Sequence, residues 1–104
     1  MANLILKYRL KDGVSPADFE EWVRTTDYPK MRSLERVQSF TTYRCETLLM
    51  GEGTPDADYI EIFTISDLNA FTGEDMPGEL VQSVMGQFMG FADEPQFIIA
   101  SEVK

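Results

Sequence analysis

The chain has 104 residues, 43% of them hydrophobic and 26% charged, with 18 acidic against 9 basic side chains and no histidine. That length is one domain's worth of polypeptide, spanning 1–104. A net charge of −9 offers no attraction to nucleic-acid phosphates or anionic membranes. The missing histidine removes the commonest general base near neutral pH and the commonest nitrogen ligand for metals.

Cys45 is the only cysteine. A lone thiol excludes a disulfide framework and fits a reducing, cytoplasmic setting. No apolar run nears the roughly 18 residues of a membrane span. The opening Met1–Arg9 meets Lys7 after three apolar residues, which does not read as a signal peptide. Charge is unevenly placed: residues 1–45 hold eight basic and six acidic groups, whereas residues 46–104 hold Lys104 and twelve acids. Two solvated faces explain this at the least cost; complementary surfaces meeting in a self-associated form are the sharper alternative.

Asn3–Lys11 alternates, with Leu4, Leu6, Tyr8 and Leu10 on one parity and Lys7, Arg9 and Lys11 on the other, the pattern of a half-buried strand. Asp12-Gly13 turns the chain. Ser15-Pro16-Ala17-Asp18 predicts a helix start: Ser15 caps, Pro16 needs no N–H at the first position, and Asp18 suits the positive dipole end. Phe19, Trp22 and Val23 give that helix an apolar face. Pro29 predicts a break near Thr26–Tyr28, followed by a short turn through Met31 and Leu34.

Val37–Glu46 is β-branched and aromatic, a second strand. Gly51–Asp58 is loop chemistry. Tyr59–Ile65 is the clearest strand, and Ser66-Asp67 caps a short helix through Leu68 and Phe71. Glu79–Phe91 carries a wide apolar stripe, interrupted by Gly86 and Gly90, which suggest a close approach by another segment. Asp93-Glu94-Pro95 ends the helix, and Gln96–Val103 is a fourth strand. The order β-α-β-β-α-β predicts an α+β, ferredoxin-like domain: a four-stranded antiparallel sheet with its helices on one face. The two halves, Asn3–Cys45 and Asp58–Val103, share a pattern but no motif.

Both parities of Tyr59–Ile65 are apolar, as are both parities of Phe97–Ala100, so the sheet face away from the helices needs covering as well. A homodimer packing sheet on sheet supplies the cover.

The βαββαβ order, the YIEIFTI strand and the DYP break at Asp27–Pro29 resemble the dimeric α+β barrel superfamily. Within it the chain resembles the REDY-like or HapK-like proteins, a group found with prodigiosin-type pigment biosynthesis. The resemblance implies a homodimer with a small-molecule pocket between sheet and helices. It also touches haem-degrading and quinone-forming monooxygenases. Haem ligation by histidine is excluded by the absence of that residue. Cofactor-free oxygenation of an electron-rich aromatic needs no metal and stays open.

Without histidine, proton transfer falls to carboxylates and phenols. Glu61, mid-strand on the parity of Tyr59 and Phe63, needs a partner or a raised pKa. Arg44, Lys7 and Arg9 are the candidate partners; the plainer reading is a structural ion pair, the sharper one an acid/base with Tyr8 and Tyr43 near it. Trp22, Asp27, Arg44, Tyr59, Met85 and Phe88 are candidate ligand contacts. For the aromatics and Met85 the plainer reading is core, and for Asp27 it is a cap on the broken helix. Cys45 has no activating base, and Glu52, Asp56 and Asp58 lack calcium-loop spacing, so no metal or cofactor is expected. Three functions remain: a cofactor-independent enzyme of secondary metabolism acting on an aromatic or polyketide-like substrate, a binding or accessory protein of such a pathway, or a closed dimer that does neither.

Overall fold

The structure is a computed structural model and describes residues 1–104. Strand β1 spans Ala2–Leu10, β2 Val37–Arg44, β3 Tyr59–Ile65 and β4 Ala92–Ala100. They form one antiparallel sheet in the order β2-β3-β1-β4. Helices α1 (Pro16–Trp22) and α2 (Tyr28–Met31) connect β1 to β2, and α3 (Leu68–Ala70) and α4 (Glu79–Phe91) connect β3 to β4. This is the α+β, ferredoxin-like arrangement that the element order predicts.

Ser15 caps α1 as expected, accepting the Asp18 N–H, and Pro16 occupies the first turn. The expected break before Pro29 does not occur. A π turn, Val23–Asp27, carries α1 directly into α2, with the Tyr28 N–H bonded to the Val23 carbonyl. Pro29 follows directly on the π turn, and that wider turn accommodates a residue that offers no N–H to the turn before it. The π turn also sets the phase of the buried face. Phe19, Val23, Asp27 and Met31 are all buried and lie four residues apart. On a regular α-helix each four-residue step over-rotates by about 40°, so three steps drift by roughly 120°. One wider turn cancels much of that drift and keeps Asp27 pointing into the core.

The second half repeats the device. The π turn Phe71–Asp75 follows α3, so each half runs β-α-π-α-β. The internal similarity seen as a bare pattern in sequence is thus a similarity of backbone. Gly86 and Gly90 of α4 are not contact points: a Cβ on either would meet nothing within 4 Å.

Cross-strand register assigns the two faces. Leu6, Tyr8, Phe40, Glu61 and Phe63 lie beneath the helices, and the Phe40 and Phe63 rings stack at 3.9 Å. On the other face Thr41, Ile62, Ile5 and Ile98 run side by side across all four strands. Ile62 and Ile98 stay 37% and 41% exposed, so this chain alone leaves an apolar row uncovered. Strand β4 begins at Ala92, earlier than expected, because Asp93-Glu94-Pro95 enters the sheet through a bulge. Lys7 pairs with Gln96 and Arg9 with Asp93, leaving Glu94 and Pro95 opposite Tyr8 alone. Glu94 takes a positive φ of 44° to make that fit.

Candidate functional site

Tyr8 from β1, Glu61 from β3 and Asp27 from the π turn meet under the helices. Glu61 is 2% exposed and Asp27 3%. The Tyr8 hydroxyl donates a short hydrogen bond to Oε2 of Glu61. Asp27 caps no backbone group and meets no hydrogen-bond donor, so the expected capping role is absent. The reason is the π turn: the helix does not end there, so no free N–H needs a cap.

Burial governs the electrostatics. It lifts the Glu61 pKa from 4.5 to about 8, with the Asp27 carboxylate adding to the rise and the Tyr8 hydrogen bond opposing it. Burial likewise pushes Asp27 up from 3.8 to about 7, against a small pull from Arg32. Tyr8 is driven far above the usual phenol range, first by burial and then by Glu61. Near neutral pH the site therefore holds carboxyls that are partly protonated.

Asp27 and Glu61 line a cavity of about 40 Å³. Its walls are Leu6 and Phe63 of the sheet, Met31 of α2, and Val81, Val84, Met85 and Phe88 of α4. The space accommodates about one water. Its polar groups are acids without a basic partner inside.

Of the expected site residues, the fold gathers Glu61, Tyr8, Asp27, Met85 and Phe88. It separates the others. Arg44 does not reach Glu61; it holds Glu20 through two bonds of 2.7 and 2.5 Å, and Glu20 also accepts from the Tyr59 hydroxyl at 2.6 Å. These bonds hold Glu20 down to about 2. Tyr59 stacks on Tyr8 but points its hydroxyl into this second cleft, which Val23, Tyr28 and Thr42 also line. Lys7 and Arg9 pair with Asp56 and Asp58 in place of Glu61. Tyr43 lies on the open face opposite Ile60, 51% exposed, because its parity is opposite to that of Glu61. Trp22 donates to Gln87 at 2.7 Å and leans on Phe91, outside the cavity.

Leu6, Phe63, Val81 and Val84 were readable as lining residues from strand parity and helical spacing. Glu20 as the partner of Arg44 had no signal, since the pairing depends on how α1 crosses the sheet. No three His, Cys, Asp or Glu side chains cluster in a metal-holding group.

The family model for REDY-like protein HapK matches residues 2–103. The chain belongs to the REDY-like HapK family. HapK from Hahella chejuensis is 27% identical, with a TM-score of 0.79 over 99% of this chain and 93% of that one. A dimeric ferredoxin-like protein of unknown function from Thermobifida fusca has a TM-score of 0.72 at 12% identity, covering 97% of this chain and 90% of that one. SnoaB, a cofactor-independent oxygenase from Streptomyces nogalater, has a TM-score of 0.74 at 14% identity, covering 99% and 93%. At such identities the last two likenesses show the fold alone. No curated protein matches by sequence. No helix is long and apolar enough to cross a membrane.

Proposed function

We propose that this HapK-family chain is a small-molecule-binding homodimer and a cofactor-independent enzyme of secondary metabolism, acting on an aromatic or polyketide-like compound by proton transfer at Glu61. The carrying observation is the pair of buried carboxyls, Glu61 and Asp27, set in an otherwise apolar cavity that no cationic side chain lines. Acids strongly shifted by burial, set in a cleft beside a specific charged neighbour, are candidates for a reactive site. Tyr8 orients Glu61, and Met85 and Phe88 face the ligand. Met31 and Met85 are unbranched and yield readily, so the cavity enlarges when a ring enters.

The chain acts as one domain over 1–104 in a cytoplasmic setting, for which the single thiol of Cys45 speaks. The row Ile62-Ile5-Ile98 is the dimer face. Neither nucleic acid nor a membrane is a partner, given the net charge of −9. A second reading, a non-catalytic binding or accessory protein of the same pathway, is favoured by one fact: 40 Å³ is small for a substrate.

Native mass spectrometry of the protein purified from its own host tests the proposal. A dimer of twice 11.8 kDa carrying a retained small molecule supports it. A bare monomer at micromolar concentration sinks it. Retention undiminished in Glu61→Gln, with no chemical change in the ligand on incubation, moves the balance to the binding protein.

A further inference from the structure

The cavity poses a chemical question that binding alone does not answer. Asp27 is buried, faces the cavity and has no hydrogen-bond partner in the protein. Glu61 faces the same space, but its Oε2 is already occupied by the Tyr8 hydroxyl, which leaves Oε1 to carry a proton inward. One acid is thus bare and free to accept, while the other is held by a phenol and free to donate.

Every charged or titratable group around the cavity is accounted for. Tyr8 comes from β1 and Glu61 from β3; Asp27 comes from the π turn, and Arg32 follows α2. Nothing charged on α4 lines the cavity. Arg32 is committed elsewhere, donating through Nε and Nη2 to the Phe40 carbonyl at 3.0 and 2.7 Å, with its guanidinium 3.6 Å above the Tyr28 ring. An anionic ligand would therefore meet two acids and no available cation in an apolar slot, which is prohibitive. A neutral carbonyl group meets a donor and an acceptor.

Resting on the proposed acid/base role of Glu61, we infer that the site enolises a neutral ketone, with Asp27 as the base at the carbon next to the carbonyl and Glu61 as the acid at the carbonyl oxygen. The C–H bond breaks and Asp27 takes its proton. The electron pair of that bond becomes the C=C bond, and the C=O pair takes the Glu61 proton to become the enol O–H. Asp27 ends protonated and Glu61 ionised, and a proton passing from one to the other through the ligand or a water resets the pair. The step is an isomerisation and needs no oxidant, reductant or co-reactant. The substrate class is an enolisable ketone that is uncharged where it enters the cavity. Tyr8 is a positioning residue, since it acts through Glu61.

The test is exchange of the benzylic protons of phenylacetone in D₂O, followed by ¹H NMR, with binding read separately by saturation transfer. Wild-type protein is expected to bind phenylacetone and to speed exchange well above the protein-free rate. Asp27→Asn should lower the enhancement at least about 100-fold, in the range of a lost general base. Asp27→Ser serves the same purpose should the Asn variant not fold. Glu61→Gln should lower it at least about tenfold. The rate should rise with pH as Asp27 ionises and fall as Glu61 loses its proton, a bell that either substitution reduces to one limb. Leu49→Ala, in a fully exposed loop tip, should exchange like wild type. Phenylpyruvate, an anion of similar size, should neither bind nor exchange. Binding without accelerated exchange, or exchange unaffected by both acid substitutions, overturns enolisation and leaves the binding site standing. Absence of phenylacetone binding at millimolar concentration overturns this inference, while the reading it rests on falls only if native mass spectrometry finds no retained small molecule.

Discussion

Replacing Glu61 by Gln tests whether burial, rather than any ion pair, governs this side chain. Gln keeps the oxygen that accepts from Tyr8 but cannot ionise. The folded-state pKa of Glu61 is raised, from 4.5 to about 8. Below pH 4.5 the carboxyl is neutral in both folded and unfolded chains, so the shift has no effect on stability. Between pH 4.5 and 8 only the unfolded chain releases the proton, and wild-type stability falls by roughly 1.4 kcal/mol per pH unit. Above pH 8 the loss is complete at about 5 kcal/mol, an upper bound because the buried site can relax or take in water. Glu61→Gln should escape this loss. Urea unfolding at fixed protein concentration should show the variant gaining on wild type by at least about 2 kcal/mol between pH 5 and 8.5. A difference between variant and wild type that stays constant over that range would refute the reasoning, because it would mean that Glu61 is ionised throughout and has a partner the fold does not show.

Tyr8→Phe removes the donor to Glu61 Oε2; it should cost about 1 kcal/mol at pH 6 by urea unfolding and, since the Tyr8 bond holds the Glu61 pKa down, leave the onset of the stability loss unchanged while extending it to higher pH and making it larger. Deleting Thr26 closes the π turn into regular helix and rotates Asp27 by about 100°; ligand retention should vanish while far-ultraviolet circular dichroism keeps its helical signal. Arg44→Ala frees Glu20, whose NMR-monitored titration should move up from about 2 towards the ordinary range, with ligand retention unchanged. Ile62→Glu places a charge in the middle of the open apolar row and should convert the expected dimer to monomer by light scattering.

Strand periodicity made much of this fold legible. The β-branched and aromatic run Tyr59–Ile65 gave the strand's bounds and put Glu61 on the parity of Tyr59 and Phe63, but with both parities apolar only the fold decides that this parity lies beneath the helices. The α4 stripe gave Met85 and Phe88 in the same way. What stayed hidden depended on backbone irregularity or on side-chain reach. Pro29 is an ordinary helix-stop signal, and nothing local says that a π turn will absorb it and swing Asp27 inward. Tyr43 is one residue out of phase with the covered face, a distinction only the register with β3 resolves. A charge in mid-strand points to a cation as the partner of Glu61; the fold instead keeps the acid largely neutral, and a phenol suffices.

The bulge in β4 gives the sheet an edge with two unequal halves. Strand β4 has a neighbour only in β1, so its far side is free to recruit another strand. In the first half Pro95 has no N–H to offer, and the turn at Glu94 bends the backbone out of line. In the second half Phe97, Ile98 and Ile99 run straight and remain 43%, 41% and 52% exposed. A chain without the proposed partner would therefore stick from one end of one strand, and the stretch Phe97–Ala100 is where overexpression of the free chain should first show as aggregation.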